Sequence, residues 1–423
     1  MKIINKIRNF DVKLTAPPAK AYTLRALIIS SLAEGKSIIH CPLLGQDQLN
    51  VIKCLESLGA KIELPNDSLV VEGCGGKYAP AVEELDVCES GVGMNFLTSA
   101  ACLCSKPVVI TGSKRITERP ISEVVSGLRQ LGCRIEYLGN EGFPPVKVFG
   151  GGIRGGKASI HGQMSSQYFS SIVISSPYAQ SPVTLQCLDN MTEKPYLDIS
   201  LQMMSRYGVE VQNNNYKEIR IPVGKYHPQE MTIEGDYSSA SFFFLAAAVT
   251  GGKVTLTGLR RDTKQGDRAF LDLLSKMGCE ISQTTEDVSV QGRALAAIEE
   301  DMGDIPDLLP PIGIAAAFAK GTSRFTNIGH LRHKESDRPA VMASQLKRMG
   351  VAACCEEGTL TVTGTKKIYG GVINPHNDHR IAMSFAAAGL MVSGTAIENE
   401  MCVTKSFPDF WERFRVFTEQ EIS

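Results

Sequence analysis

The sequence predicts an α/β protein of two domains assembled from six similar units. Three observations carry that expectation. At 423 residues the chain is longer than one hydrophobic core normally organises. An ending made of an amphipathic helix, a glycine and a short strand recurs along it. Between those endings lie short runs of β type.

The repeat is read most directly from its glycines. The segments CLESLGAKIEL, GLRQLGCRIEY, LQMMSRYGVEV, FLDLLSKMGCEI and QLKRMGVAA place Gly59, Gly132, Gly208, Gly278 and Gly350 after apolar residues at helical spacing, with intervals of 73, 76, 70 and 72 residues. A glycine there closes the helix in the left-handed conformation, and a strand follows. A sixth copy is expected at the C-terminus, with Trp411 to Phe417 as its helix. Seventy residues exceed a solenoid repeat, so each unit is expected to be a small subdomain with more than one helix. Val108 to Thr111, Ala158 to His161, Val254 to Thr257 and Leu360 to Thr363 read as strands. Six such units fit two groups of three.

Composition excludes several functions. A hydrophobic fraction of 43% and a charged fraction of 21% describe an ordinary soluble globular protein. The formal net charge of −1 argues against a nucleic-acid surface, which needs a basic excess. The opening MKIINKIRNFDVKL has no apolar core followed by a small-residue cleavage site. The longest apolar runs, Phe242 to Val249 and Ile312 to Ala319, are too short to span a membrane. A cytoplasmic location without membrane partners is therefore expected. The 12 cysteines are dispersed without CxxC pairs and read as reduced, mostly buried residues. His376 and His379 lack the thiolate or carboxylate company of a metal site, so no metal is expected. Gly151 to Ala158 nearly matches a nucleotide P-loop, but Ala158 replaces the hydroxyl residue and a strand follows instead of a helix. That segment reads as a turn.

The chemistry is expected at helix entrances. His330-Leu-Arg-His-Lys-Glu-Ser-Asp-Arg-Pro339 packs Arg332, Lys334, Arg338, Glu335 and Asp337 ahead of a helix that ends at Gly350, and proline suits the first helical position. Cations beside a helix N-terminus repel its dipole unless an anion lies between them. The device recurs. Lys20 opens a helix that carries Arg25 one turn in, Arg119-Pro120 precedes the helix ending at Gly132, Asn377-Asp378-His379-Arg380 leads into an apolar helix, and Lys405 precedes the last one. Together these cations suit a heavily anionic small ligand, with guanidinium groups for phosphate or carboxylate. Ser165-Ser166-Gln167 adds hydroxyl and amide donors for a second phosphate, and Asp307 and Glu335 are the candidate acid–base pair.

These motifs, in this order, resemble the 5-enolpyruvylshikimate-3-phosphate (EPSP) synthase family. The resemblance covers nearly the whole chain and rests on TERPI (117–121), SSQ (165–167), KPY (194–196), EGDYSSA (234–240), IPD (305–307), KESDR (334–338), NDHR (377–380) and TKSFPD (404–409). It implies an inside-out α/β barrel in each of two domains, with three βαβαββ units apiece. It also implies that residues 1–17 join 235–423 in one domain, that 18–234 form the other, and that the active site lies in the cleft. The implied reaction passes the enolpyruvyl group of phosphoenolpyruvate to the 5-hydroxyl of shikimate 3-phosphate, without metal or organic cofactor, in a monomer. Lys20, Arg119, Arg338, Arg380 and Lys405, assisted by Gln167, are implied to hold phosphoenolpyruvate. Asp307, Glu335 and Lys20 are implied to be catalytic. Arg25, Ser165, Ser166, Gln167, Tyr196, Asp307, His330 and Lys334 are implied to face the acceptor.

Four positions depart from the family pattern. Ala21 follows the first lysine where serine is usual, the glycine loop reads Glu89-Ser-Gly-Val92-Gly-Met-Asn95, and Glu193 replaces a serine that helps to hold the acceptor phosphate. A carboxylate near a phosphate is repulsive. The cation cage is thus intact while the acceptor side is altered, which leaves open a related acceptor or a non-catalytic anion binder. The sister UDP-N-acetylglucosamine enolpyruvyl transferase typically carries a reactive cysteine before its Arg-Pro helix, and Gly112 to Glu118 has none.

Overall fold

The computed structural model describes residues 1–7 and 10–418 and divides the chain into two compact units. One is Lys20–Ile233. The other is Met1–Ala19 together with the chain from Glu234 onward.

The unit Lys20–Ile233 contains helices α1 (Lys20–Leu32), α2 (Gln46–Ser57), α3 (Gly91–Ala101), α4 (Lys114–Thr117), α5 (Ser122–Gln130), α6 (Gln167–Ser175) and α7 (Lys194–Arg206). Its strands form three four-stranded sheets. In the second sheet Glu84–Asp86 runs parallel to Val108–Thr111, which pairs antiparallel with Val146–Val148, itself antiparallel to Ile135–Tyr137. A parallel pair needs a crossover, and α3 supplies it; the last two strands are a hairpin. The third sheet repeats this order, with α6 crossing from Gly156–Ile160 to Val183–Cys187. The first does too, but its leading strand, Glu230–Thr232, comes from the far end of the segment.

The other unit contains α8 (Tyr237–Thr250), α9 (Ala269–Met277), α10 (Leu309–Phe318), α11 (Arg338–Arg348), α12 (His379–Gly389) and α13 (Phe410–Phe414). Two of its sheets have four strands; the last has three, Lys2–Ile3, Ala396–Ile397 and Val372–Ile373. The same strand order and pairing therefore recurs in five sheets, three built from contiguous chain and two led by a strand from elsewhere in the sequence, and the sixth copy is shortened. Its expected helix is α13 followed by a 3-10 turn at Arg415–Phe417.

The core of each unit is helical. Nearly every residue of α1, α3, α6, α8, α10 and α12 is buried, and α8 and α10 are apolar all round. The helices ahead of the repeated glycines, α5 and α9 most clearly, instead bury one stripe. The strands make six separate small sheets, and none of these closes on itself among the described residues. The five marker glycines have φ of 105°, 85°, 89°, 110° and 81°, the left-handed closing conformation expected of them.

Two sequence expectations are corrected. Arg119-Pro120 does not open a helix: α5 starts at Ser122, after Ile121 at φ −126°, ψ 6°, whose N–H donates to the Gly142 carbonyl at 2.9 Å. Arg119 lies instead in the turn after α4. Lys405 does not open the last helix either; it closes a 3-10 helix at Glu400–Lys405, and α13 begins five residues later. The glycine-rich stretch before Ala158 is a turn with positive φ at Gly150, Gly151, Gly152, Gly155 and Gly156, leading into a strand. All 12 cysteines carry free thiols, and no helix among the described residues is long and apolar enough to cross a membrane.

Candidate active site

The densest ionic cluster belongs to the unit that contains α8 to α13. Asp337 caps α11 by accepting from the Ala340 N–H at 3.3 Å, and Pro339 fills the first turn, so the helix starts where the sequence places it. Arg338 is thereby turned inward and is 1% exposed. Its guanidinium meets three carboxylates: Nε donates to Asp378 Oδ2 at 2.9 Å, Nη1 to Asp307 Oδ1 at 2.9 Å and Nη2 to Glu335 Oε2 at 3.0 Å. Three of its five N–H groups are used this way. Burial alone would lower its pKa, but the charges of Asp378, Asp307 and Glu335 outweigh burial and hold Arg338 above the ordinary arginine range.

Two further cations complete the cluster. Arg380 Nη2 reaches Asp307 Oδ2 at 2.7 Å, and its Nη1 donates to the Ser238 hydroxyl. Lys405 Nζ lies 3.3 Å from Glu335 Oε1. Asp307 therefore bridges Arg338 and Arg380, while Glu335 bridges Arg338 and Lys405. Asp378 anchors the arrangement from α12, where it accepts from its own helix at Arg380 N–H (3.0 Å) and from Ser336 Oγ (3.2 Å). The sequence-predicted acid pair and three of the five cage cations thus form one network. His330, in the 3-10 turn Gly329–His333, and Lys334, just after it, lie on the segment that carries Glu335.

The other expected residues belong to the unit Lys20–Ile233. Lys20 opens α1 and pairs with Asp47 at 2.5 Å, a buried carboxylate in the first turn of α2. Arg25 is fully buried. It donates to Ser200 Oγ at 2.7 Å and to the carbonyls of Ala21 (3.0 Å) and Tyr196 (2.7 Å), with its Cζ 5.4 Å from the Phe96 ring centroid. Burial lowers its pKa to about 10. The Arg119 guanidinium lies on Gly91 at the start of α3, where an added Cβ would stand 2.5 Å from Nη1. That glycine is what lets a cation rest on this helix terminus.

Ser165 and Ser166 precede α6 as expected, but Glu193 occupies them. Its carboxylate accepts from Ser165 Oγ, and its carbonyl accepts from Ser166 Oγ at 2.6 Å. Glu193 is buried in a left-handed backbone conformation, φ 57°, uncommon for a residue with a side chain. The Gln167 N–H donates to Ser165 Oγ at 3.2 Å, so the start of α6 faces a protein carboxylate through one hydroxyl.

Sequence reasoning missed Asp47 and Asp378 as partners of the cations. Asp378 stands in the NDHR motif and was legible only as part of it. Asp47 had one signal, a carboxylate in the first turn of a helix.

Fold and site together define a two-unit α/β protein that gathers Arg338, Arg380 and Lys405 around Asp307, Glu335 and Asp378 in one of its units. The model of the family described as EPSP synthase (3-phosphoshikimate 1-carboxyvinyltransferase) matches residues 4–414. A 3-phosphoshikimate 1-carboxyvinyltransferase of Methanoculleus marisnigri is 42% identical over 405 residues, covering 95% of this chain and 96% of the relative. One of Vibrio cholerae is 36% identical over 407 residues, 95% of this chain and 96% of its own. The solved EPSP synthase of Acinetobacter baumannii superposes with a TM-score of 0.82 at 28% identity, covering 98% of this chain and 97% of that one. The chain belongs to the EPSP synthase family.

Proposed function

We propose that the protein transfers the enolpyruvyl group of phosphoenolpyruvate to the 5-hydroxyl of shikimate 3-phosphate and releases phosphate, a step of the shikimate pathway. The observation that carries the role assignment is the Asp307–Arg338–Glu335 bridge with Arg380 and Lys405 at its two ends. Transfer requires an acid to protonate the phosphoenolpyruvate methylene, charge to stabilise the cationic carbon that results, and a base for the attacking hydroxyl and the later elimination. Asp307 and Glu335 are the proton-handling pair. Arg338, Arg380, Lys405, Lys20 and Arg119, with Gln167, hold the donor, and Lys20 also stabilises charge on it during the reaction. Arg25, Ser165, Ser166, Gln167, Tyr196, His330, Lys334 and Asp307 serve the acceptor. The protein works as a cytoplasmic monomer without metal, organic cofactor, nucleic acid or membrane. Formation of a 5-enol ether of shikimate 3-phosphate together with equimolar phosphate, followed by mass spectrometry, tests the reaction; an unchanged acceptor mass speaks against it.

The cluster's charge has a consequence for the donor. Arg338, Arg380 and Lys405 are matched by Asp307, Glu335 and Asp378. An incoming anion makes the site net negative, which favours proton uptake by one of the acids. Donor binding then arms the general acid. Calorimetry in buffers of different ionisation enthalpy is expected to register uptake of about one proton per donor bound, with affinity weakening as pH rises. Binding without proton uptake contradicts this coupling.

Acceptor recognition turns on Glu193. Its carboxylate engages the Ser165 hydroxyl, a donor assigned to the acceptor phosphate. Glu193→Ser is expected to lower the Michaelis constant for shikimate 3-phosphate by roughly tenfold or more, the worth of one charge-assisted hydrogen bond of about 1.5 to 3 kcal/mol. No change in that constant would take Glu193 out of acceptor binding.

A further inference from the structure

In the unit Lys20–Ile233, two buried serines tie together the helices whose starts hold expected substrate residues. A serine or threonine hydroxyl inside a helix can satisfy itself on the carbonyl four residues earlier. Thr98 does so in α3, donating to the Met94 carbonyl at 2.7 Å. Its neighbour Ser99 does not: Ser99 Oγ lies 2.5 Å from Ser171 Oγ on α6, and Ser171 Oγ donates to the Asn95 carbonyl at 2.5 Å. That carbonyl is the one Ser99 would take within its own helix. A carbonyl only accepts and a hydroxyl carries one proton, so Ser171 gives its proton to Asn95 and receives that of Ser99. The bridge stands one turn inside both helix starts. Asn95 follows Gly91 by four residues and Ser171 follows Gln167 by four, about 6 Å along each axis.

We propose that Ser171 is a positioning residue for enolpyruvyl transfer, holding the start of α6, with Ser165, Ser166 and Gln167, in register with the start of α3, where Arg119 rests on Gly91. The inference rests on the assignment of Arg119 to the donor and of Ser165 and Ser166 to the acceptor. Apolar packing between the two helices is non-directional, whereas the Ser171–Asn95 hydrogen bond has a fixed length and direction and selects one register. Transfer needs donor and acceptor placed against each other at once, so register bears on the chemical step more than on the binding of either substrate alone. Removing the Ser171 hydroxyl strands no buried polar group, because Ser99 can then bond back to the Asn95 carbonyl. What is lost is the link between the helices.

The test uses Ser171→Ala and Ser99→Ala in the full chain, with Arg119→Met as the control for the underlying assignment. Ser171→Ala is expected to lower kcat roughly tenfold, less than the hundredfold that a misplacement of about 1 Å can cost. Calorimetric dissociation constants for phosphoenolpyruvate and for shikimate 3-phosphate, each measured alone, should stay within about twofold of native. Ser99→Ala deletes a hydroxyl of the same size from the same interface but keeps the Ser171–Asn95 link, and its kcat should stay within about twofold of native. A purely structural role would lower thermal stability in both variants alike and leave kcat alone. Native kcat in Ser171→Ala, or an equal loss of kcat in Ser99→Ala, overturns the proposal. Should Ser171→Ala fail to fold, Ser171→Cys, which fills the same space with a weak S–H donor, is expected to show the loss in its place, and native kcat there overturns the proposal. Native turnover and native donor affinity in Arg119→Met would instead remove the assignment on which the inference stands.

Discussion

Glu335→Gln is expected to lower kcat by roughly 10²- to 10⁴-fold, the usual contribution of a positioned proton-transfer group. Glutamine keeps the shape of the side chain, and its carbonyl can still accept from Arg338 Nη2, which reaches the carboxylate at 3.0 Å in the native protein. It cannot carry a proton between substrate and site. The donor should accordingly still bind, within a few-fold of native affinity, because Arg338 remains paired with Asp307 and Asp378. Steady-state kinetics beside calorimetric donor titration separate the two quantities. Native turnover would remove Glu335 from the mechanism, whereas loss of both turnover and binding would make it a scaffold for Arg338 and Lys405.

Arg338→Met is expected to have the largest effect on stability, a loss of about 3 to 5 kcal/mol. Methionine fills much of the same volume but leaves Asp378, which has no exposed surface, and Asp307 and Glu335 without their shared cation. The cost is that of uncompensated buried charge rather than of lost packing. It should be greatest above neutral pH and shrink in mild acid, where the unpaired acids can shed their charge. A urea midpoint lower than native at pH 8, with a smaller gap at pH 5, is the expected pattern. A gap that does not change with pH would mean that packing, not charge, is what Arg338 contributes.

Local signals carried the fold well. The five glycines closed their helices because a left-handed residue after an apolar helical stripe is a local requirement. The run that opens at Ile381, in α12, was legible as an apolar helix, and every residue of that helix is buried. The start of α11 was legible because proline suits the first helical position, and the structure adds Asp337 as its cap. Arg119-Pro120 carries the same dipeptide signal and misled: Ile121 takes a non-helical conformation, and the helix waits until Ser122.

The cations were legible, with Asp307 and Glu335 beside them, but Asp378 and Asp47 as their partners were not. Arg338 meets Asp378 across 40 positions and Asp307 across 31, and Lys20 meets Asp47 across 27. Long-range pairing leaves no periodicity behind. Residues read as cations awaiting an anion are for this reason already paired with carboxylates of the chain. Glu193 shows the same limit. Its sequence position predicted repulsion of a phosphate, but not that the carboxylate would engage the Ser165 hydroxyl.

The central claim is enolpyruvyl transfer to shikimate 3-phosphate, and phosphate release from phosphoenolpyruvate tests it most directly. Purified protein is offered shikimate 3-phosphate, unphosphorylated shikimate and UDP-N-acetylglucosamine in separate reactions. Release with shikimate 3-phosphate alone is the predicted result. Release with none of the three, or with either of the other acceptors in preference, would contradict the account and withdraw the acceptor roles given to Arg25, Ser165, Ser166 and Tyr196.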